Sequence, residues 1–200
     1  MSMRSNLTEN RGFTLIEILM SLAVLCMLFA LGMPMLTTAL DNFRLSGDGR
    51  TLANAVAVAK MRAAATFSKG RLFVDLYGKS FIVQRYDKTT STWVSDGPLI
   101  YIASRDSFGY GVVGSPPLNT QPSIVQAPAC KDNSNNDISN SACVVFNSRG
   151  IPVDNTGAPI GTNALYLTDG ITVYGVTVSG TGLARTWRTT ATATPNWVLQ

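Results

Sequence analysis

The chain contains no histidine, and its only glutamates are Glu9 and Glu17. That absence removes the Ser–His–Asp and Cys–His arrangements, the commonest zinc ligand and the usual near-neutral general base. Carboxylate or lysine catalysis remains chemically open, but no acidic pair stands out to perform it. The sequence therefore reads as that of a non-enzyme, with no catalytic residue, metal site or cofactor expected. Charge is also sparse. Sixteen Lys and Arg against 12 Asp and Glu leave a net charge of +4, which permits contact with nucleic acid or anionic lipid without demanding either. Cysteine occurs three times, and no internal repeat is evident.

What is present in abundance is an uncharged run from Ile18 to Leu40, preceded by Arg11-Gly12-Phe13-Thr14-Leu15-Ile16-Glu17. At about 1.5 Å per residue, a helix from Phe13 to Leu40 is roughly 40 Å long, enough to cross a hydrocarbon core of about 30 Å with tilt. Glu17 near its start is costly in a membrane, on the order of 2.5–3.5 kcal/mol at mid-depth and less near the end. A cut between Gly12 and Phe13 would supply a partner, because the new amino group lies one helical turn from Glu17. An ordinary signal anchor would leave Glu17 without a role. A cleavable secretory signal fits poorly, since its apolar core is about 7–15 residues and ends at small residues. Here Met33-Pro34-Met35 stands where that cut would fall.

This heptapeptide resembles the processing site of type IV prepilins and pseudopilins. The resemblance implies a leader at 1–12, cleavage after Gly12, methylation of Phe13 and an assembly role for Glu17. Pro34 sits where many pilins kink or locally melt this helix. The resemblance also implies a single-pass protein of the inner membrane, with its globular part in the periplasm or extracellular on a filament. Arg4 and Arg11 favour a cytoplasmic leader, but Arg44 and Arg50 lie near the other end of the span, so positive charge alone does not orient it.

Beyond the membrane run, 41–68 reads as an amphipathic continuation of the helix. Leu45, Leu52, Val56, Ala59, Ala63 and Phe67 fall on one face, suited to packing under a sheet. Ser46-Gly47-Asp48-Gly49 is expected to bend the helix or to let Asp48 cap a second segment, because interior glycine costs about 1 kcal/mol. From 69 to 200 the period changes to two. Leu72, Val74 and Leu76 alternate with Phe73, Asp75 and Tyr77, and Gly78-Lys79 reads as a two-residue turn into a strand over 80–87. Further strands are expected at 93–94, 99–103, 142–146, 164–168, 171–178 and 183–188. Segment 104–141, rich in Gly, Pro, Ser and Asn, reads as an irregular excursion.

Cys26 lies in the apolar run, where a thiol behaves as a small apolar side chain. Cys130 and Cys143 bracket the polar stretch from Lys131 to Asp137. Outside the cytoplasm these two are expected to form a disulfide worth roughly 3 kcal/mol in loop entropy. A metal site is the poorer reading, for want of a second pair or a histidine.

The sum is an α+β chain: a long N-terminal membrane-spanning helix followed by an antiparallel β-sandwich or sheet domain. It resembles the GspH/FimT family of minor pseudopilins and minor pilins. The residues carrying the likeness are Gly12–Glu17, the alanine-rich helix ending near Phe67, Val144-Val145-Phe146-Asn147-Ser148-Arg149-Gly150 before Pro152, and a closing hairpin around Gly180-Thr181-Gly182. The resemblance implies a structural subunit of a type IV filament system, either the pseudopilus of type II protein secretion or a type IV pilus. Its partners would be other pilins, a prepilin peptidase, an inner-membrane assembly platform and the membrane itself. The alternative is a FimT-like subunit that binds DNA through a Gly-Arg-x-Arg motif. Arg185, Arg188 and Trp187 are the candidate contacts, but Leu183 replaces the first arginine of that motif.

Overall fold

The computed structural model describes residues 13–200, with the side chains of 34, 35 and 38 not among them. The leader expected at 1–12, Gly12 included, lies outside the described residues. The chain divides into two units, Met1–Leu40 and Asp41–Gln200. Helix α1 (Leu15–Ala65) contributes to both.

In the first unit, α1 presents apolar side chains all round, among them Leu19, Leu22, Leu25 and Phe29, and each is exposed. The stretch Leu15–Met33 is long and apolar enough to cross a membrane. The helix passes through Pro34 without a break, although proline cannot donate to the carbonyl one turn earlier. Local melting, one of the two outcomes expected there, is absent.

In the second unit, α1 buries Leu45, Leu52, Ala55, Val56, Ala59 and Ala63. The helix also runs unbroken through Ser46–Gly49, and tertiary contacts explain why two glycines do not end it. A Cβ at position 49 would collide with the ring of Tyr174, so glycine is what allows the helix and that ring to approach. Asp48 does not cap a new helix. Its Oδ2 accepts the backbone N–H of Ala103 at 2.7 Å.

The helix ends in a Schellman arrangement: Ser68 N–H bonds Ala63 C=O and Phe67 N–H bonds Ala64 C=O. Phe67 takes the left-handed position, with φ of 49°. It is 75% exposed, so it terminates the helix and is not the last member of the buried stripe.

The first sheet contains β1 (Gly70–Asp75), β2 (Ser80–Asp87), β3 (Thr92–Ser95), β4 (Ile100–Tyr101), β6 (Ser141–Phe146) and β7 (Pro152–Val153). Its order is β3-β2-β1-β6-β7, with β4 also pairing β2. The β1–β2 loop is four residues long, because Asp75 pairs with Ser80. The Asp75 carboxylate closes it by accepting the N–H groups of Tyr77 and Gly78. That side-chain bond displaces the two-residue turn the glycine suggested.

The second sheet contains β5 (Ser107–Phe108), β8 (Asn163–Thr168), β9 (Thr172–Val178), β10 (Ala184–Thr190) and β11 (Val198–Leu199). Its order is β11-β10-β9-β8-β5. Leu72, Val74, Phe81, Val144 and Phe146 from the first sheet meet Leu165, Leu167, Tyr174, Val176 and Val178 from the second in one core with the helix stripe.

The other face of the second sheet is covered as well. Val113 and Ile124 of the excursion bury Ala164, Tyr166 and Val173, with Tyr110 and Trp197 packed beside them. Gln126 extends the sheet with a side chain: its amide donates to Tyr166 C=O and accepts Tyr166 N–H, both at 2.9 Å. Hence β8 and β9 are buried at every residue. A strand covered on both faces loses polar alternation, and here an irregular segment supplies the second cover.

Candidate functional site

The N-terminal end of α1 is organised by its own residues. Thr14 is the N-cap: its hydroxyl accepts Glu17 N–H at 3.3 Å, and its carbonyl accepts Ile18 N–H at 3.2 Å. Glu17 returns the bond, its Oε2 lying 3.4 Å from Thr14 N. This is a capping box, the Thr-x-x-Glu pattern that satisfies two orphan donors of a helix start. The sequence signal for it was Thr14-Leu15-Ile16-Glu17, and the reading of Glu17 as a charge partner passed over it. Phe13 precedes the cap and is 81% exposed. The Gly12–Phe13 junction itself falls outside the described residues.

Cys130 and Cys143 are joined by a disulfide, with Cα atoms 4.9 Å apart. The bond ties the excursion's last segment to β6 of the first sheet. Ser141 Oγ also accepts Cys130 N–H at 2.9 Å and donates to Ile138 C=O at 2.6 Å, so the loop is closed by polar bonds as well. Cys26 is a free, exposed thiol on the apolar helix.

The C-terminal candidates do not converge. Arg185 and Arg188 are three residues apart on β10, so they project from opposite faces of the strand. Arg188 reaches the helix side, where its Nη2 donates to Asn42 Oδ1 at 2.8 Å. Arg185 is exposed on the other face. Trp187 shares that face but is half-buried, and its indole N–H donates to Thr177 Oγ1 at 2.9 Å. The strand therefore offers no joined Arg185–Arg188 patch, and no observation on β10 favours nucleic acid.

Two segments far apart in sequence meet on one lysine. Lys60 of α1 donates to the carbonyls of Thr181 and Gly182, at 3.0 and 3.1 Å. Its aliphatic stem lies against Gly150, where a Cβ would press on it at 3.1 Å. Gly150 and Gly182 both have positive φ, near 73°. Lys60 thus holds together the turn after β6 and the β9–β10 hairpin. The sequence reading missed this residue, since a lysine on a helix gives no local sign of a long-range partner.

Residues 8–33 match the prokaryotic N-terminal methylation motif, a stretch that includes Gly12, Phe13 and Glu17. The match covers the segment around Gly12–Glu17 and the apolar first part of α1, and it ends before the β domain. Among solved structures, the chain is similar to the minor pseudopilin EpsH from the type 2 secretion system of Vibrio cholerae. The identity is 8%, with 78% of this chain and 96% of that one covered and a TM-score of 0.38. No curated protein matches the chain.

Proposed function

We propose that this chain is a minor pilin or pseudopilin, assembled as a low-abundance subunit of a type IV filament system. The observation supporting this most directly is the methylation motif over 8–33, which runs into a helix whose apolar side chains have no cover among the described residues. In this reading a prepilin peptidase removes residues 1–12 after Gly12, and Phe13 becomes a methylated N-terminus. Residues 13–40 first anchor the subunit in the inner membrane and then pack among the helices of other subunits. The helix continues to Ala65, and the β domain of 69–200 faces the periplasm or the filament exterior. An inner-membrane assembly platform would extract the subunit.

Leaving the membrane is the costly step, and apolar helix packing compensates for the lost lipid environment. A carboxylate inside the bundle must find a cation, and the Phe13 amino group of a neighbouring subunit is the nearest available kind. Pairing then selects one axial register. The filament is either the pseudopilus of type II protein secretion or a type IV pilus.

The test is the mature N-terminus. Protein isolated from membranes of a host with a prepilin peptidase should begin at Phe13 and carry one methyl group by intact mass. A mature start at Met1, or beyond Pro34, would refute the reading. Co-purification with secretion pseudopilins, as opposed to pilus subunits, would decide between the two filaments.

A further inference from the structure

The outer face of the first sheet carries a buried cation without an anion. Arg71 on β1 is 4% exposed, yet it forms no ion pair among the described residues. Its partners are neutral: Nε donates to Gln84 Oε1 at 2.7 Å and Nη1 to Lys131 C=O at 2.6 Å. The guanidinium lies over Trp93, 4.1 Å from the ring centroid, and 5.6 Å from that of Phe73. A guanidinium has five N–H donors, and these bonds use two of them. Burial draws its pKa down to about 10, so the charge is retained at a cost. Arginine is seldom so buried unless paired, and the two hydrogen bonds plus the rings would be cheaper to replace by an apolar side chain.

The guanidinium borders a cleft of about 180 Å³ between β1–β3, the 131–135 loop and the turn at 154–155. Lys69, exposed and without a carboxylate within ion-pair reach among the described residues, lines the same cleft. Lys131 lines it too, but is paired with Asp137 at 2.9 Å. Two carboxylates stand at the rim, Asp132 and Asp154. Both are held ionised by turn hydrogen bonds, chiefly from Asn136 to Asp132 and from Thr156 to Asp154. With Lys131 neutralised by Asp137, the cleft sets Arg71 and Lys69 against Asp132 and Asp154, a near-balance of charge that opposes a phosphate dianion and leaves the buried Arg71 to select a singly charged guest. A planar carboxylate also matches the free edge of a guanidinium held flat by Trp93.

We propose that this cleft binds a carboxylate group, with Arg71 as the buried anchor and Lys69 as the charge at the mouth. The carboxylate comes either from a small free anion or from an acidic side chain of a partner subunit. This holds whether or not the filament assignment is correct, because it rests on the β domain alone.

The experiment uses the full chain in detergent micelles at constant ionic strength, followed through the Arg71 Nε–H and Trp93 indole N–H signals by NMR. The probes are acetate, a blocked tripeptide with a central glutamate, and inorganic phosphate. Saturable shifts with acetate support a free anion, and saturation by the tripeptide alone supports a partner's side chain. In either case phosphate should bind more weakly. Arg71→Lys should weaken the interaction about tenfold, because lysine keeps the charge and loses the fork. Lys69→Gln, at an exposed position, should weaken it about threefold without affecting folding. Saturation by neither carboxylate, tighter binding of phosphate, or affinity unchanged in Lys69→Gln would each overturn the proposal.

Discussion

The Glu17 carboxylate faces the backbone N–H of Thr14 at 3.4 Å, while Thr14 Oγ1 accepts the N–H of Glu17 at 3.3 Å. The residue proposed to set filament register is thus already engaged in starting its own helix. A substitution that removes both functions cannot separate them. Glutamine can: it retains an acceptor for the capping box and loses the charge.

Accordingly, Glu17→Gln and Glu17→Val should both reach the membrane at the parental level and both fail to enter filaments. The assay is the ratio of sheared filament to membrane-bound subunit, with wild-type partners present. If Glu17→Gln assembles normally and Glu17→Val does not, the carboxylate acts as a cap and register pairing is wrong.

The Cys130–Cys143 bridge closes a loop with a sequence separation of 13. Its removal by a double Cys→Ser change should cost about 2–4 kcal/mol. The measurement is chemical denaturation of the micelle-bound chain, with and without reductant, where only the parent should respond. Peptide mapping without reductant should find Cys26 as the one alkylated thiol.

Asp106 gives the β domain a pH dependence of unusual sign. It is 2% exposed, and its Oδ2 meets no hydrogen-bond donor among the described residues. Burial raises its pKa to about 7, helped by a hydrogen bond with Asp48 and by the charges of Asp48, Asp169 and Asp41. The folded state therefore holds a proton that the unfolded chain releases near the ordinary carboxylate value. Stability is fully present below that value and is lost as pH rises from about 4 through about 7. The drop should be about 1–3 kcal/mol in denaturation midpoints converted to free energy. Asp106→Asn should flatten the curve in that window and exceed the parent in stability at pH 8. A parent curve that rises between pH 5 and 7.5 would refute it.

Two backbone positions should respond in opposite directions. Phe67 occupies a left-handed helix-ending position that glycine adopts at no steric cost. Phe67→Gly should stabilise by about 0.5–1 kcal/mol, since the exposed ring contributes little. Gly49→Ala should destabilise by about 1–3 kcal/mol, because its methyl meets the Tyr174 ring. Thermal midpoints of the two variants decide both, and an unchanged Gly49→Ala would mean that the ring moves freely.

By itself the sequence determined the elements whose signal is local and periodic. The apolar run, the processing motif and the seven-four-three-four spacing of Leu45, Leu52, Val56, Ala59 and Ala63 follow from side chains a few residues apart on one helix. The strands expected at 80–87, 142–146 and 171–178 were legible because apolar or β-branched residues recur there and turn residues bound them.

The tertiary structure alone decided the rest. Glycines 47 and 49 lower helix propensity locally, but a ring from β9, more than a hundred residues on, makes Gly49 the residue that fits. The pairing of Cys130 with Cys143 was expected from the sequence, but the place between β1 and β7 of the strand that the bridge reaches, β6, was not. The cover over β8 and β9 comes from a segment with no period of its own, held by Gln126 acting as a length of strand. Whether Arg185 and Arg188 share a surface depended on the β10 pairing, and an odd separation on a strand sends them apart. Arg71 reads as one more polar residue in an alternating strand. Only the sheet's far face, with Trp93 from β3 and Lys131 from a distant loop, buries it without a counter-charge. Local pattern specifies which face of an element is apolar. What lies against that face is set by pairings over long sequence separations, where no short-range signal is written.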